Sequence, residues 1–382
     1  MTMIRFVPLM VATMLLGSCS TISKLNPFSS SSKTQATPLA PITAKVDMRL
    51  QWQASVGNAG GYVFTPAVVG DSVYAASHDG TLARFDNGRQ VWRIAVGQEL
   101  SGGVGAGASL VAVGTPKGDV LTFDAETGKA GWKAHVSSEV LAAPAVSDSL
   151  VVVRAGDSQL FAFGAEDGKR RWVYQYSMPT LSLRSHVGVL LSQQVVVAGY
   201  PGGKLVAVNT KNGAPIWEVA VSIPKGATEL ERISDVSSLP VVDGREICAA
   251  AFQGRVACFD IGTGNLSWSR DVSSSVGLDM DKQRVYVADD SGIVYAFDRN
   301  TGASVWKQDK LALRDLSRPL AFSRYVLIGD HQGFVHLLDS SDGSFAARMA
   351  TDGSPIQADP QPEPHGVVVQ TRNGGVFALT GD

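Results

Sequence analysis

The groups in this chain that could do chemistry are three cysteines, six histidines and 35 acidic side chains. Cys248 and Cys258 lie ten apart, on either side of a Gln253-Gly254 turn. On consecutive strands of a hairpin they would face each other, as a cross-strand disulfide requires. Cys258 also fits a second reading as a small buried residue, because Thr122, Ala207, Ala296 and Ala378 hold the corresponding places in the repeats described below. Both readings stay open. His78, His135, His186, His331, His336 and His365 show no paired metal spacing, and His331 and His336, five apart across a turn, are a weak signal. No Gly-x-Ser-x-Gly elbow and no phosphate-binding loop occur. Most aspartates sit where turns need them. The reading is therefore no metal, no cofactor and no catalytic residues, although a ring-shaped fold can bring distant side chains together at its axis.

The third cysteine, Cys19, has a different context. Arg5, the apolar run from Phe6 to Leu16 and the small residues Gly17-Ser18 precede it. This is the build of a secretory signal, and eleven apolar residues are too few to span a bilayer. Leu16-Gly17-Ser18-Cys19 resembles a bacterial lipobox, which implies cleavage after residue 18, acylation of Cys19 and, with Ser20 following, sorting to the outer membrane. The expected organisation is a signal peptide over 1–18, a Ser- and Pro-rich flexible tether over 19–45 and a folded body over 46–382. The protein would then be lipid-anchored in the outer membrane and face the periplasm, which permits disulfides.

The elements that must position any site are repeats. Gly80–Trp92, Gly118–Trp132, Gly254–Trp268 and Gly292–Trp306 are copies of one motif. A glycine opens an alternating apolar strand, an aspartate closes it, a glycine turns the chain and a tryptophan lies on the outgoing strand. Asp124, Asp260 and Asp298 can accept hydrogen bonds from the turn backbone, while Gly128, Gly264 and Gly302 supply positive φ. All seven tryptophans, at 52, 92, 132, 172, 217, 268 and 306, occupy this position. An eighth copy begins at Gly333 but has Ala347 where tryptophan is expected, with Phe345 two residues earlier. Trp52 has no glycine-led strand before it, and Gly375–Thr380 has no tryptophan strand after it. Joined, they complete one unit. The expected fold is all-β: an eight-bladed propeller of four-stranded antiparallel blades, closed by the strand around Trp52 completing the C-terminal blade. Forty glycines and 18% charged residues suit such short buried strands, and a net charge of −2 excludes a field that would gather nucleic acid.

Function is expected where the period breaks. The two longest intervals between tryptophans, Trp172 to Trp217 and Trp217 to Trp268, place extra residues at Tyr174 to His186 and at Ser222 to Ser238. Both connect the outer strand of one blade to the inner strand of the next, so they lie side by side on one face. Leu181, Leu183 and Arg184 in one loop and Glu229, Glu231, Arg232 and Asp235 in the other combine apolar anchors with charge, the makings of an interface hot spot. The alternative is that Arg184 and Asp235 pair with each other and merely hold the loops.

The repeat resembles that of pyrroloquinoline-quinone dehydrogenase propellers, over roughly residues 46 to 382. Lipobox, eight repeats and the segments Met178–Arg184 and Thr228–Val236 together resemble, more narrowly, the BamB family of lipoproteins in the outer-membrane β-barrel assembly machinery. That resemblance implies a non-catalytic scaffold that binds the periplasmic domains of BamA, within the rest of the assembly complex, with Leu181, Leu183, Arg184 and Asp235 at matching positions. Ser237 stands where the family pattern suggests an acidic residue. Unfolded outer-membrane proteins, added as an extra strand at an exposed blade edge, are a further expected partner. The competing reading is a periplasmic propeller enzyme of quinoprotein or hydrolase type. Quinoprotein sites resemble one another in an adjacent-cysteine disulfide and a stacking tryptophan, and this chain offers neither to spare.

Overall fold

A computed structural model of the protein describes residues 36–381. The expected signal peptide, the expected acylation at Cys19 and the first part of the expected tether lie outside the described residues. The rest forms eight sheets of four antiparallel strands. Blade 1 spans residues 67–95, blade 2 102–135, blade 3 145–174, blade 4 190–220, blade 5 241–270, blade 6 278–308 and blade 7 320–350. Blade 8 joins three strands near the C-terminus to Met48–Ser55, which pairs antiparallel with Gly375–Gly381 from Met48 opposite Gly381 to Ser55 opposite Gly375. The eight-bladed ring and its closure are as the repeats predict.

Each blade alternates side chains between its two faces, and both faces are buried against neighbouring blades. Eight apolar clusters fill the seams. The tryptophans fasten them. Trp132 donates its indole N–H to the Ala165 carbonyl of the next blade at 2.7 Å, and Trp172, Trp217, Trp268 and Trp306 donate likewise to Thr210, Ile261, Arg299 and Ser340. The ring of each lies flat on a turn glycine of that next blade. A Cβ at Gly168 would stand 2.6 Å from the Trp132 ring, and φ there is +63°, so both space and backbone require glycine.

This pairing explains Ala347. A tryptophan there would cover the turn between the third and fourth strands of blade 8, but that turn does not exist, because the two strands come from opposite ends of the chain. Val46 and Met48 fill the space instead, packed with Ala346 and Ala347, and the Lys45 N–H donates to the Ala346 carbonyl at 2.7 Å.

Residues 37–45, part of the expected tether, instead pack against the ring. From Thr37 onward the chain is strapped along blade 7. The Thr37 N–H donates to the Ala312 carbonyl, Leu39 packs on the seam between blades 6 and 7, and Arg314 and Arg348 donate to the carbonyls of Thr37 and Ala40. Beneath the strap lies a buried ionic chain. Arg314 Nε donates to Asp330 at 2.7 Å, His336 Nε2 contacts the same carboxylate oxygen at 3.0 Å, and Arg348 Nε donates to His336 Nδ1 at 3.1 Å. Since Nδ1 accepts, the imidazole is neutral with its proton on Nε2. His331 binds the Arg314 carbonyl through Nδ1. Both histidines thus have structural partners.

Cys248 and Cys258 face each other in register on adjacent strands of blade 5 and are joined as a disulfide, fully buried.

Candidate functional site

The connections from outer to inner strands share one face of the ring with the hairpins between second and third strands. Two are enlarged, residues 175–189 between blades 3 and 4 and residues 221–240 between blades 4 and 5. Asp235 ties them together. Its carboxylate accepts the Leu183 N–H at 2.6 Å and the Gly202 N–H at 3.0 Å, so it bridges both loops and the blade 4 hairpin. Its own carbonyl accepts the Phe252 N–H. The side chain is only 3% exposed. The expectation that Asp235 is offered at the surface is therefore corrected: a short carboxylate surrounded by loop amides is used to satisfy them. Ser237 is likewise buried, and its hydroxyl donates to the Ser275 carbonyl at 3.2 Å. Ser185 donates to the Ser237 carbonyl.

Arg184 does not pair with Asp235. It makes a two-pronged bond to Glu139, Nε to Oε1 at 3.0 Å and Nη2 to Oε2 at 2.8 Å, and lies over the Tyr62 ring at 5.6 Å. The Glu139 carboxylate holds the guanidinium more firmly charged than usual. More than half of the Arg184 side chain remains in solvent, so this pair presents the arginine at the rim without hiding it.

The second loop is shaped by its own charges. The Glu231 carboxylate accepts the N–H groups of Thr228 at 3.0 Å and Ala227 at 2.8 Å, while the Glu231 N–H donates to Thr228 Oγ1, a reciprocal capping arrangement. Those backbone donors hold its carboxyl below the usual range. Arg232 donates to the Gly226 carbonyl and lies 3.7 Å from Glu229. Glu231 and Arg232 thus serve the turn. What the turn displays is Leu230, 68% exposed, with Ile223 at 65%. The first loop exposes Met178 and Leu181, the latter 41% exposed, with Leu183 half-buried. Sequence reasoning singled out Leu181, Leu183 and Arg184 but missed Met178, Ile223 and Leu230, and it missed Tyr62 and Glu139 because they come from other connections.

The axis of the ring holds a cavity of about 580 Å³, whose lining includes His186, Asp289, Asp315, Arg318 and Asp359. Arg318 contacts Asp359 at 3.4 Å and donates to the Leu278 carbonyl. Among the described residues, the cavity has no three acidic or imidazole ligand atoms close enough to share an ion. The one such group, Glu246 with Cys248 and Cys258, is in blade 5 and its sulfurs are already bonded to each other. The described tryptophans are spent on blade seams. A quinone with calcium does not fit these residues.

Comparison with known proteins agrees with the fold and narrows the family. Residues 78–308 match the family model described as outer membrane protein assembly factor BamB. The chain is 41% identical to the assembly factor BamB of Burkholderia pseudomallei over 90% of this chain and 91% of that one. It is 44% identical to that of Pseudomonas aeruginosa, over 87% and 89%. The crystal structure of BamB from Moraxella catarrhalis superposes with a TM-score of 0.82 at 26% identity, covering 87% of this chain and all of that one. The quinohemoprotein alcohol dehydrogenase of Comamonas testosteroni, at 13% identity and a TM-score of 0.72, shares the fold alone. With a relative above 40% identity along nearly its whole length and a family model spanning most of its blades, the chain belongs to the outer membrane protein assembly factor BamB family.

Proposed function

We propose that this protein is a non-catalytic adaptor for the assembly of β-barrel proteins in the outer membrane, held on the periplasmic side by an acylated Cys19. Its partner surface is the double-loop face, and its partner is the periplasmic part of BamA. The observation that carries this reading is the cross-bracing of the two oversized connections by Asp235, together with the exposure of Met178, Leu181, Ile223, Leu230 and Arg184 on those same two connections. Exposed apolar anchors beside a stacked arginine are what a protein interface uses, and loops on a stiff scaffold are where binding residues collect. The relatives' shared description as outer membrane protein assembly factors supports the cellular role. Against a quinoprotein site with calcium stand the donor geometry of the axial cavity and the engagement of the tryptophans.

The test is capture of BamA periplasmic domains by the purified protein carrying Arg184→Glu with Leu181→Ala. Binding should fall at least tenfold. Unchanged capture would show that the partner docks elsewhere.

A further inference from the structure

One position in the repeat departs from all the others. The residue at or next to the end of the second strand, paired with the first or second residue of the third, is Ala76, Gly114, Gly199, Ala250, Ala288, Gly329 and Gln370 in seven blades, and Arg154 in blade 3. Smallness has a cause. A Cβ on Gly114, Gly199 or Gly329 would press within 2.4 Å of Val140, Val236 or Ile356 in the connection that follows. In blade 3 that connection is the enlarged loop 175–189, and the space beneath it admits a guanidinium.

Arg154 is only 9% exposed, and burial works against its charge. Its face lies over the Tyr200 ring at 5.2 Å, and Tyr200 stacks on Tyr176 at 4.2 Å. Nη2 reaches Ser158 Oγ at a long 3.4 Å, and Nη1 has no acceptor among the described residues. Asp235, the nearby carboxylate, has both oxygens engaged by the N–H groups of Leu183 and Gly202. A buried guanidinium with an unused N–H edge is costly unless something meets it. Arg154 is one of the residues lining a cleft of about 20 Å³ between the two loops, with Met178, Leu183, Pro201, Asp235 and Ser237. A space of this size takes one water or the tip of one side chain.

We infer that this cleft is a socket for a single carboxylate side chain of the protein partner, received by the free edge of Arg154. The inference rests on the double-loop face being the docking surface. Of the groups that fill so small a space, a carboxylate alone matches the paired N–H donors of a guanidinium and also neutralises it.

The experiment measures binding of BamA periplasmic domains to full-length protein, unchanged or carrying Arg154→Met, beside thermal melting of each protein alone. Arg154→Met should bind at least tenfold more weakly yet melt at or above the wild-type temperature, because the buried charge is gone. A lower melting temperature with unchanged binding would make Arg154 merely structural and overturn the inference. Loss of binding with Arg184→Glu and Leu181→Ala, but not with Arg154→Met, would overturn it while leaving the docking face intact. Should Arg154→Met fail to fold, the nitrogen resonances of Arg154 in the wild-type protein decide. They should shift with sodium formate and not with formamide at equal ionic strength, and an equal response to both would refute the carboxylate.

Discussion

Arg314 and Arg154 are both buried arginines, and they are finished differently. Arg314 spends every nitrogen: Nε on Asp330, Nη1 on the Thr37 carbonyl and Nη2 on Gln332. Arg154 rests on a tyrosine ring, with one weak bond to Ser158 and one nitrogen idle. The first holds a strap against blade 7, where the fold needs cohesion. The second lies under the loops, beside the cleft of about 20 Å³. Completeness of hydrogen bonding thus separates a residue that stabilises the ring from one that waits for something outside it.

The largest effect expected from this contrast is on stability. Arg314→Met strands Asp330 in the core and should cost about 3–5 kcal/mol in denaturant unfolding, against no loss for Arg154→Met. Equal costs would erase the distinction. Acid probes the same network without mutation. Asp330 is held at about 2, where donated hydrogen bonds from His336, Phe334 and Arg314 outweigh the burial that opposes its charge. A carboxyl depressed in the folded state stabilises it above the ordinary carboxylate range, and that contribution disappears as the pH falls from about 4 to about 2. Burial also keeps His336 neutral, so the unfolded chain gains the proton first and stability begins to decline below about pH 6.5. Melting temperature followed against pH should show both limbs, and Asp330→Asn should remove the lower one.

A smaller effect belongs to the loop brace. Asp235→Ala frees the amides of Leu183 and Gly202 and should cost about 1–3 kcal/mol, together with weaker capture of BamA domains. If stability drops but capture persists, the exposed patch does not need the brace. The least effect is expected from Ser237→Ala, which loses one hydroxyl bond worth about 1 kcal/mol and should leave capture within twofold.

The propeller was legible because its cause is local. Aspartate, turn glycine and tryptophan recur at fixed offsets, and each offset corresponds to one hairpin and one seam. The enlarged loops were legible for the same reason, as interruptions of that period. What each loop residue does was not. Arg184 finds Glu139, 45 residues away, and Asp235 finds Leu183, 52 residues away, and neither partner follows from spacing. Charge in the sequence suggested exposure for Asp235, whereas unpaired amides drew it inward. The strap was hidden because Pro- and Ser-rich composition reads as free chain, and only folding shows that blade 7 lacks a tryptophan to cover a missing turn. Arg154 did leave a signal, a lone charge in a column of alanines, glycines and one glutamine, visible once strand register aligns the blades.

Closure of the ring also sets a timetable. Met48–Ser55 can pair only with Gly375–Gly381, so a chain emerging N-terminus first carries an orphan strand until its final residues arrive. Seven blades can stack as they are made, but the last seam waits for Gly375–Gly381, a contact of very long sequence separation and hence a slow step. A product truncated before Gly375 would keep a bare strand edge and an uncovered Trp52. Completeness of synthesis is thereby checked by the fold itself, before any partner is met.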